Sequence, residues 1–197
     1  MKKLFVLLLA GVLLQSCGSL LPATHTVELF SVESPANAKQ QFGETKVVSF
    51  KDEDLNKYHY EDDYIDIVWY VTSKNFNFLL KNKSGHTIKI NWDDVSYVDI
   101  NGITGRVMHS GVKYSERNNS QPATTIPKNA SISDLLLPTD NVYYLSGTYG
   151  GWMEKKLFNF SEDKIGKKMY ILMPIMIENV QNDYTFEFRI DKISDEE

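Results

Sequence analysis

An all-β fold is what this sequence predicts, from three observations. Apolar and polar residues alternate in run after run, most cleanly over 184–190 (YTFEFRI). Turn signals built from Gly, Asn, Asp and Pro separate the runs, and no stretch sustains a helical period. About eight to ten short strands of this kind imply an antiparallel immunoglobulin-like β-sandwich, with a small β-barrel as the alternative.

The N-terminus is a separate element. Lys2 and Lys3 precede an apolar run from Leu4 to Leu14, followed by Gln15, Ser16, Cys17 and Gly18. A basic start, a short apolar run and a small residue before a cut are the parts of a secretory signal. The run is shorter than the roughly 20 apolar residues that a transmembrane helix requires. Cys17 is the only cysteine, so no intramolecular disulfide is expected. Leu14, Gln15, Ser16 and Cys17 resemble the bacterial lipobox, with Gln15 departing from its usual small or aliphatic residue. The resemblance implies cleavage before Cys17, a diacylglycerol on its sulfur and acylation of its new amine. Gly18 stands where an aspartate would favour the inner membrane, and no acidic residue follows it over 19–22. The resemblance thereby implies the outer membrane, on its periplasmic face.

The expected organisation is a signal peptide over 1–16, a lipidated cysteine and short tether over 17–23, one sandwich domain over 24–193 and an acidic tail over 194–197. That length suits a single domain with a real core. The whole chain has a formal charge of −5, and loss of Lys2 and Lys3 with the signal makes it more acidic still. An acidic chain without a basic stripe has no electrostatic footprint for nucleic acid.

Taken in order, 24–32 reads as a first strand, with Val27 and Leu29 on one face and Glu28 and Phe30 on the other. Pro35 marks 34–43 as a loop, 46–50 is a short strand, and the charged stretch 51–63 reads as an exposed excursion. Residues 64–72 form a strand with Ile65, Ile67, Trp69 and Val71 on one face. Phe76, Phe78 and Leu80 continue the pattern, and 81–86 turns with Gly85 free to take a positive φ. Ile88, Ile90 and Trp92 point inward, Asp93 and Asp94 make a corner, and 95–100 is another strand. Asn101 and Gly102 are a type I′ hairpin signal. Residues 105–109 return, and 115–127 is a long polar loop suited to mobility. A strand over 130–137 ends in a turn over 138–141. The aromatic, glycine-rich stretch 142–153 follows, then a short helix within 162–168. Residues 169–177 are apolar on both faces, and Pro174 there implies an edge position or a bulge.

From Tyr64 to Tyr144 the chain resembles Bacteroides-type envelope lipoproteins with an immunoglobulin-like sandwich. The residues carrying the resemblance are Phe78, Leu79, Leu80, Lys81 and Asn82, followed by Ile88, Lys89, Ile90, Asn91, Trp92 and Asp93. It brings no catalytic residues with it.

Chemistry-bearing motifs are sparse. His25, His59, His86 and His109 read as surface or turn residues, and no Gly-x-Ser-x-Gly elbow is present. His109 and Ser110 are neighbours, but adjacent strand residues face opposite ways. The histidines and the single cysteine lack zinc spacing. Glu61, Asp62 and Asp63, like Asp93, Asp94 and Asp99, lack the spacing of a calcium loop and read as solvated turns. No catalytic residue, metal or cofactor is expected. The binding candidates are Tyr143, Tyr144, Tyr149 and Trp152, aromatic rings around a glycine hinge that would suit a protein partner or a sugar. The preferred alternative is that these rings close one end of the sandwich. The function expected is that of a non-enzymatic cell-envelope lipoprotein. It would be held to the membrane at Cys17 and bind another envelope protein through its loops as an accessory or assembly subunit, or else act as a glycan-binding module using the loop aromatics.

Overall fold

The computed structural model describes residues 25–33, 48–52 and 55–192. Cys17, the signal, the tether, the 34–43 loop and the acidic tail lie outside the described residues. In chain order the strands begin with β1 (His25–Glu33), β2 (Val48–Asp52), β3 (Leu55–Glu61), β4 (Ile65–Val71) and β5 (Phe76–Asn82). Then come β6 (Ile88–Ile90), β7 (Ser96–Val98), β8 (Thr104–His109), β9 (Thr124–Ile126) and β10 (Ser131–Pro138). Last are β11 (Val142–Leu145), β12 (Gly151–Glu154), β13 (Lys168–Ile177) and β14 (Val180–Lys192).

The paired strands are antiparallel and form two layers. One runs β1-β14-β13, with β6 and β7 both along the far edge of β13 and β9 outside β6. The other runs β2-β3-β4-β5-β10. Strand β8 joins them: Thr104 and Arg106 pair with β7, whereas Val107 and His109 pair with β10. On the opposite side β1 packs against β3 and β4 without a ladder between them. The result is a sandwich nearly closed into a barrel, so both expected architectures describe part of it.

Period-two alternation builds the core. In β14, Tyr184, Phe186, Phe188 and Ile190 are fully buried while Thr185, Glu187 and Arg189 face outward. Trp69 of β4 meets Phe186, Phe78 and Phe188 with ring centroids 4.9, 5.0 and 5.4 Å away. Strand β1 keeps Val27 and Leu29 inside, then bulges between Leu29 and Ser31. The extra residue places Phe30 outside and returns Val32 to the core. Across the layers, the Asp62 carboxylate in the β3–β4 turn accepts the hydroxyls of Tyr184 (2.9 Å) and Tyr60 (3.2 Å). Its other oxygen accepts the backbone N–H groups of Tyr64 and Ile65, each at 2.8 Å.

Five expectations are corrected. The stretch 51–63 is no excursion: it holds β3, whose Tyr58 and Tyr60 are buried between outward Lys57, His59 and Glu61. The loop 115–127 is fastened rather than loose. Gln121 is buried, its Nε2 donates to Val107 O (2.7 Å) and its Oε1 accepts the His109 N–H (3.2 Å). Arg106 donates to Asn118 O (2.8 Å) and Asn119 O (3.2 Å) and pairs with Asp93 (2.8 Å). The Ser120 hydroxyl also donates to Asp93 and, with lesser help from Gln121 N–H and Arg106, holds that carboxyl below its usual range. The Asn101–Gly102 signal makes a hairpin of another type: Gly102 N–H donates to Asp99 O, and only Gly102 takes a positive φ (80°). Strand β13 is interior, and Pro174 sits where its ladder lapses between β7 (at Leu172) and β6 (at Ile175), so the missing N–H costs no strand bond. The expected helix over 162–168 is a single 3₁₀ turn, Glu162–Lys164.

Candidate functional site

Strands β11 and β12 form a two-stranded hairpin of their own, separate from the main sheet. Its register pairs Tyr144 with Trp152 and Val142 with Glu154 on one face, Tyr143 with Met153 and Leu145 with Gly151 on the other. At the tip, Gly150 N–H donates to Gly147 O (2.9 Å). A Cβ on Gly150 would sit 2.2 Å from Leu145 O, so only glycine fits there. Tyr149 stands on this turn, wholly exposed.

The hairpin is fixed at its base. Val142 is buried with Met108 and Leu137 in a small second core, against which Val112 and Tyr114 pack. Lys155 N–H donates to Asn141 O (2.7 Å), and Leu157 N–H donates to Ser73 O (2.8 Å). Glu154 accepts the Tyr114 hydroxyl and pairs with Lys74 (3.3 Å). The bond to Glu154, with burial behind it, raises the Tyr114 phenol above its ordinary pKa.

The four candidate rings do not share one surface. Tyr144 (61 % exposed) and Trp152 (38 %) meet edge to face, with centroids 5.5 Å apart and planes at 69°. Tyr114 meets Trp152 in the same way, and the Arg117 guanidinium lies over the Trp152 ring at 5.1 Å. Tyr143 is half-buried on the opposite face, with Lys155 over its ring at 5.5 Å. Leu145 and Met153 are exposed on that face. The expectation that these rings close the sandwich is therefore overturned. Leu157 and Phe158, buried in the main core just after the hairpin, do the closing. Sequence reading missed Tyr114, Arg117, Leu145 and Met153 as members of the patch. Leu145 and Met153 were legible as its strand neighbours, but Tyr114 and Arg117 join only through the fold.

Several of the remaining chemistry-bearing residues have structural partners. His109 stacks on Trp92 at 4.2 Å, and its Nδ1 lies 3.1 Å from Asp134 Oδ2. Asp134 also accepts the N–H groups of Ser110 (2.8 Å) and Leu135 (2.7 Å), while Trp92 donates to Thr124 Oγ1 (2.8 Å). Among the described residues, no hydroxyl or thiol bonds to the His109 ring. His59 pairs with Asp66 (2.9 Å) and His86 with Glu178 (2.8 Å). Asp62 and Asp99 cap their own turns. Among the described residues, no three His, Cys, Asp or Glu side chains converge to hold a metal ion, and no helix is long and apolar enough to cross a membrane. A cavity of about 500 Å³ opens on the outer face over Pro174 and Met176, rimmed by Lys89, Asn91 and Glu178. Of the histidines and acidic residues singled out from sequence, Asp94 lines it, already bonded to Asn91 (2.6 Å).

Compared with protein-family models and with curated proteins, the chain matches none.

Proposed function

We propose that this chain is a non-enzymatic lipoprotein of the bacterial outer membrane. Anchored at Cys17, it serves as an accessory or assembly subunit that binds another envelope protein through the β11–β12 hairpin. One observation carries the reading: Tyr144, Leu145, Tyr149, Trp152 and Met153 are exposed together on one hairpin, while the core closes without them. Clustered exposed apolar side chains mark interaction surfaces, and Trp, Tyr and Arg dominate the energetics of protein interfaces. Trp152, Tyr144, Tyr114 and Arg117 have that composition.

The glycan-binding alternative is less well supported. A sugar stacks on an open, flat ring face, and Arg117 lies over the Trp152 ring with two aromatic neighbours tilted at 65° and 69°. Of the four candidate rings, Tyr149 is the one with no aromatic or cationic neighbour among the described residues.

The test is site-specific photocrosslinking in intact envelopes from position 149, with position 180 as control. Val180 is also exposed (64 %) but lies at the β13–β14 turn. A protein adduct at 149, absent at 180 and lost on Trp152→Ala, is the expected result. No adduct specific to 149 would remove the reading.

A further inference from the structure

The register of the strands locates the hairpin relative to the tether. His25 opposes Lys192, Lys168 opposes Arg189, Tyr170 opposes Val98, and Val98 opposes Thr104. The start of β1, the end of β14, the start of β13 and the β7–β8 turn therefore lie at one end of the sandwich. The hairpin is rooted at that same end. Asn141 and Leu157, which flank it, line a small cavity with Asp99 and Ile103 of the β7–β8 turn. The β13–β14 turn, with Glu178 and Val180, is at the opposite end.

Four strand spacings of about 4.8 Å separate β1 from β8, so the root of the hairpin is roughly 20 Å across the end from His25. From Cys17 to His25 the chain has eight Cα steps, a span of about 28 Å at most. A soluble domain of about 100 residues has a radius of gyration near 13 Å, hence a diameter of about 34 Å, and exceeds that gap. A protein already standing in the bilayer meets the hairpin without having to fit beneath it. The hairpin is apolar on both faces, with Tyr144 and Trp152 on one and Leu145 and Met153 on the other. It is thus suited to being enclosed from more than one side rather than covered from one.

We infer that the hairpin end is the membrane-facing end of the sandwich, and that the partner bound there is a membrane-embedded protein met at the bilayer surface. This rests on the anchoring at Cys17 and on the protein-binding reading above.

The experiment uses the full chain, lipidated in a bacterial envelope. First, the purified lipidated protein is placed on phosphatidylethanolamine–phosphatidylglycerol vesicles carrying either headgroup spin labels or acyl-chain bromines. Trp69 and Trp92 are buried and Trp152 is the exposed tryptophan, so quenching that disappears in Trp152→Phe reports the hairpin. Second, the partner identified in the position-149 adduct is followed, in its uncrosslinked form, through a carbonate wash of the membranes. Loss of Trp152 emission to headgroup labels, together with an uncrosslinked partner that stays in the washed membrane, is expected. No headgroup quenching overturns the orientation. Quenching by acyl-chain bromines overturns the partner class, because lipid itself would then be what the hairpin enters. An uncrosslinked partner released by carbonate also overturns the partner class but leaves the protein-binding reading standing. An absent adduct removes the binding reading, and escape of the native chain from the membrane fraction removes the anchoring.

Discussion

Replacing Asp62 by alanine tests whether the two layers are clamped through one carboxylate. In the native structure that carboxylate accepts four hydrogen bonds, two of them from the hydroxyls of Tyr184 and Tyr60, whose side chains are fully buried. Hydrogen bonds to a charged acceptor contribute about 1.5–3 kcal/mol each, and a buried donor left without its acceptor costs about 1–3 kcal/mol. The Tyr64 N–H lies in a partly exposed turn, where water replaces much of its loss, while the Ile65 N–H belongs to a buried residue and adds a smaller share. Asp62→Ala is therefore expected to lower stability by about 3 kcal/mol, mostly through Tyr184. Tyr184→Phe removes the donor instead and leaves Asp62 its other three partners, for an expected loss of about 1–2 kcal/mol. Because both changes break the same bond, the double variant falls short of additivity by about 1–2 kcal/mol. Urea unfolding of the four proteins, with the slope against denaturant unchanged, is the assay. A loss below about 1 kcal/mol for Asp62→Ala, or strict additivity in the cycle, would refute the clamp.

Alkali should unfold the protein through buried tyrosines. Burial, with the Asp62 charge next, pushes the Tyr184 phenol well above its ordinary 10.0, and burial with Asp99 behind it does the same for Tyr97. The unfolded chain loses these protons above about pH 10 while the folded chain keeps them, so stability present below pH 10 falls as pH rises. The loss is about 1.4 kcal/mol per tyrosine at pH 11, and a Tyr184→Phe protein with an undiminished slope would contradict it. Gln121→Ala strands Val107 O and His109 N–H and is expected to cost about 2 kcal/mol in the same unfolding assay. Gly150→Ala cannot keep the tip geometry, since the new Cβ would overlap Leu145 O. It should abolish the position-149 crosslink while leaving the unfolding midpoint nearly unchanged, and a lowered midpoint would mean that the hairpin supports the core. Cys17→Ser should release the protein from membranes on fractionation, and unchanged sedimentation would count against lipidation.

Where side-chain period and burial coincide, the sequence was legible. Phe76, Phe78 and Leu80, then Ile88, Ile90 and Trp92, were read inward and are buried. So were Tyr184, Phe186, Phe188 and Ile190. Strand β3 escaped because Lys57, His59 and Glu61 are the outward half of an alternation whose inward half is Tyr58 and Tyr60, and charge outweighed period in the reading. The polar character of 115–127 by itself predicts freedom. In the fold its polar groups are occupied, with Gln121 satisfying backbone atoms and Ser120 and Arg106 meeting at Asp93. Composition cannot separate a solvated polar loop from a bonded one, because the partners come from β8 and the corner after β6.

The hairpin shows the same limit from the apolar side. Tyr143, Tyr144, Tyr149 and Trp152 were found by residue type, which cannot distinguish a ring that seals a core from one that faces water. The decision lies in what else reaches that end of the sandwich. Leu157 and Phe158 arrive from just beyond β12 and fill it, which leaves the preceding rings outside. An apolar patch that the core does not need costs solubility unless something covers it. The polar clusters that looked chemical are occupied by turn capping, ladder ends and ion pairs. Among the described residues, the β11–β12 hairpin gathers more apolar surface than the fold itself uses.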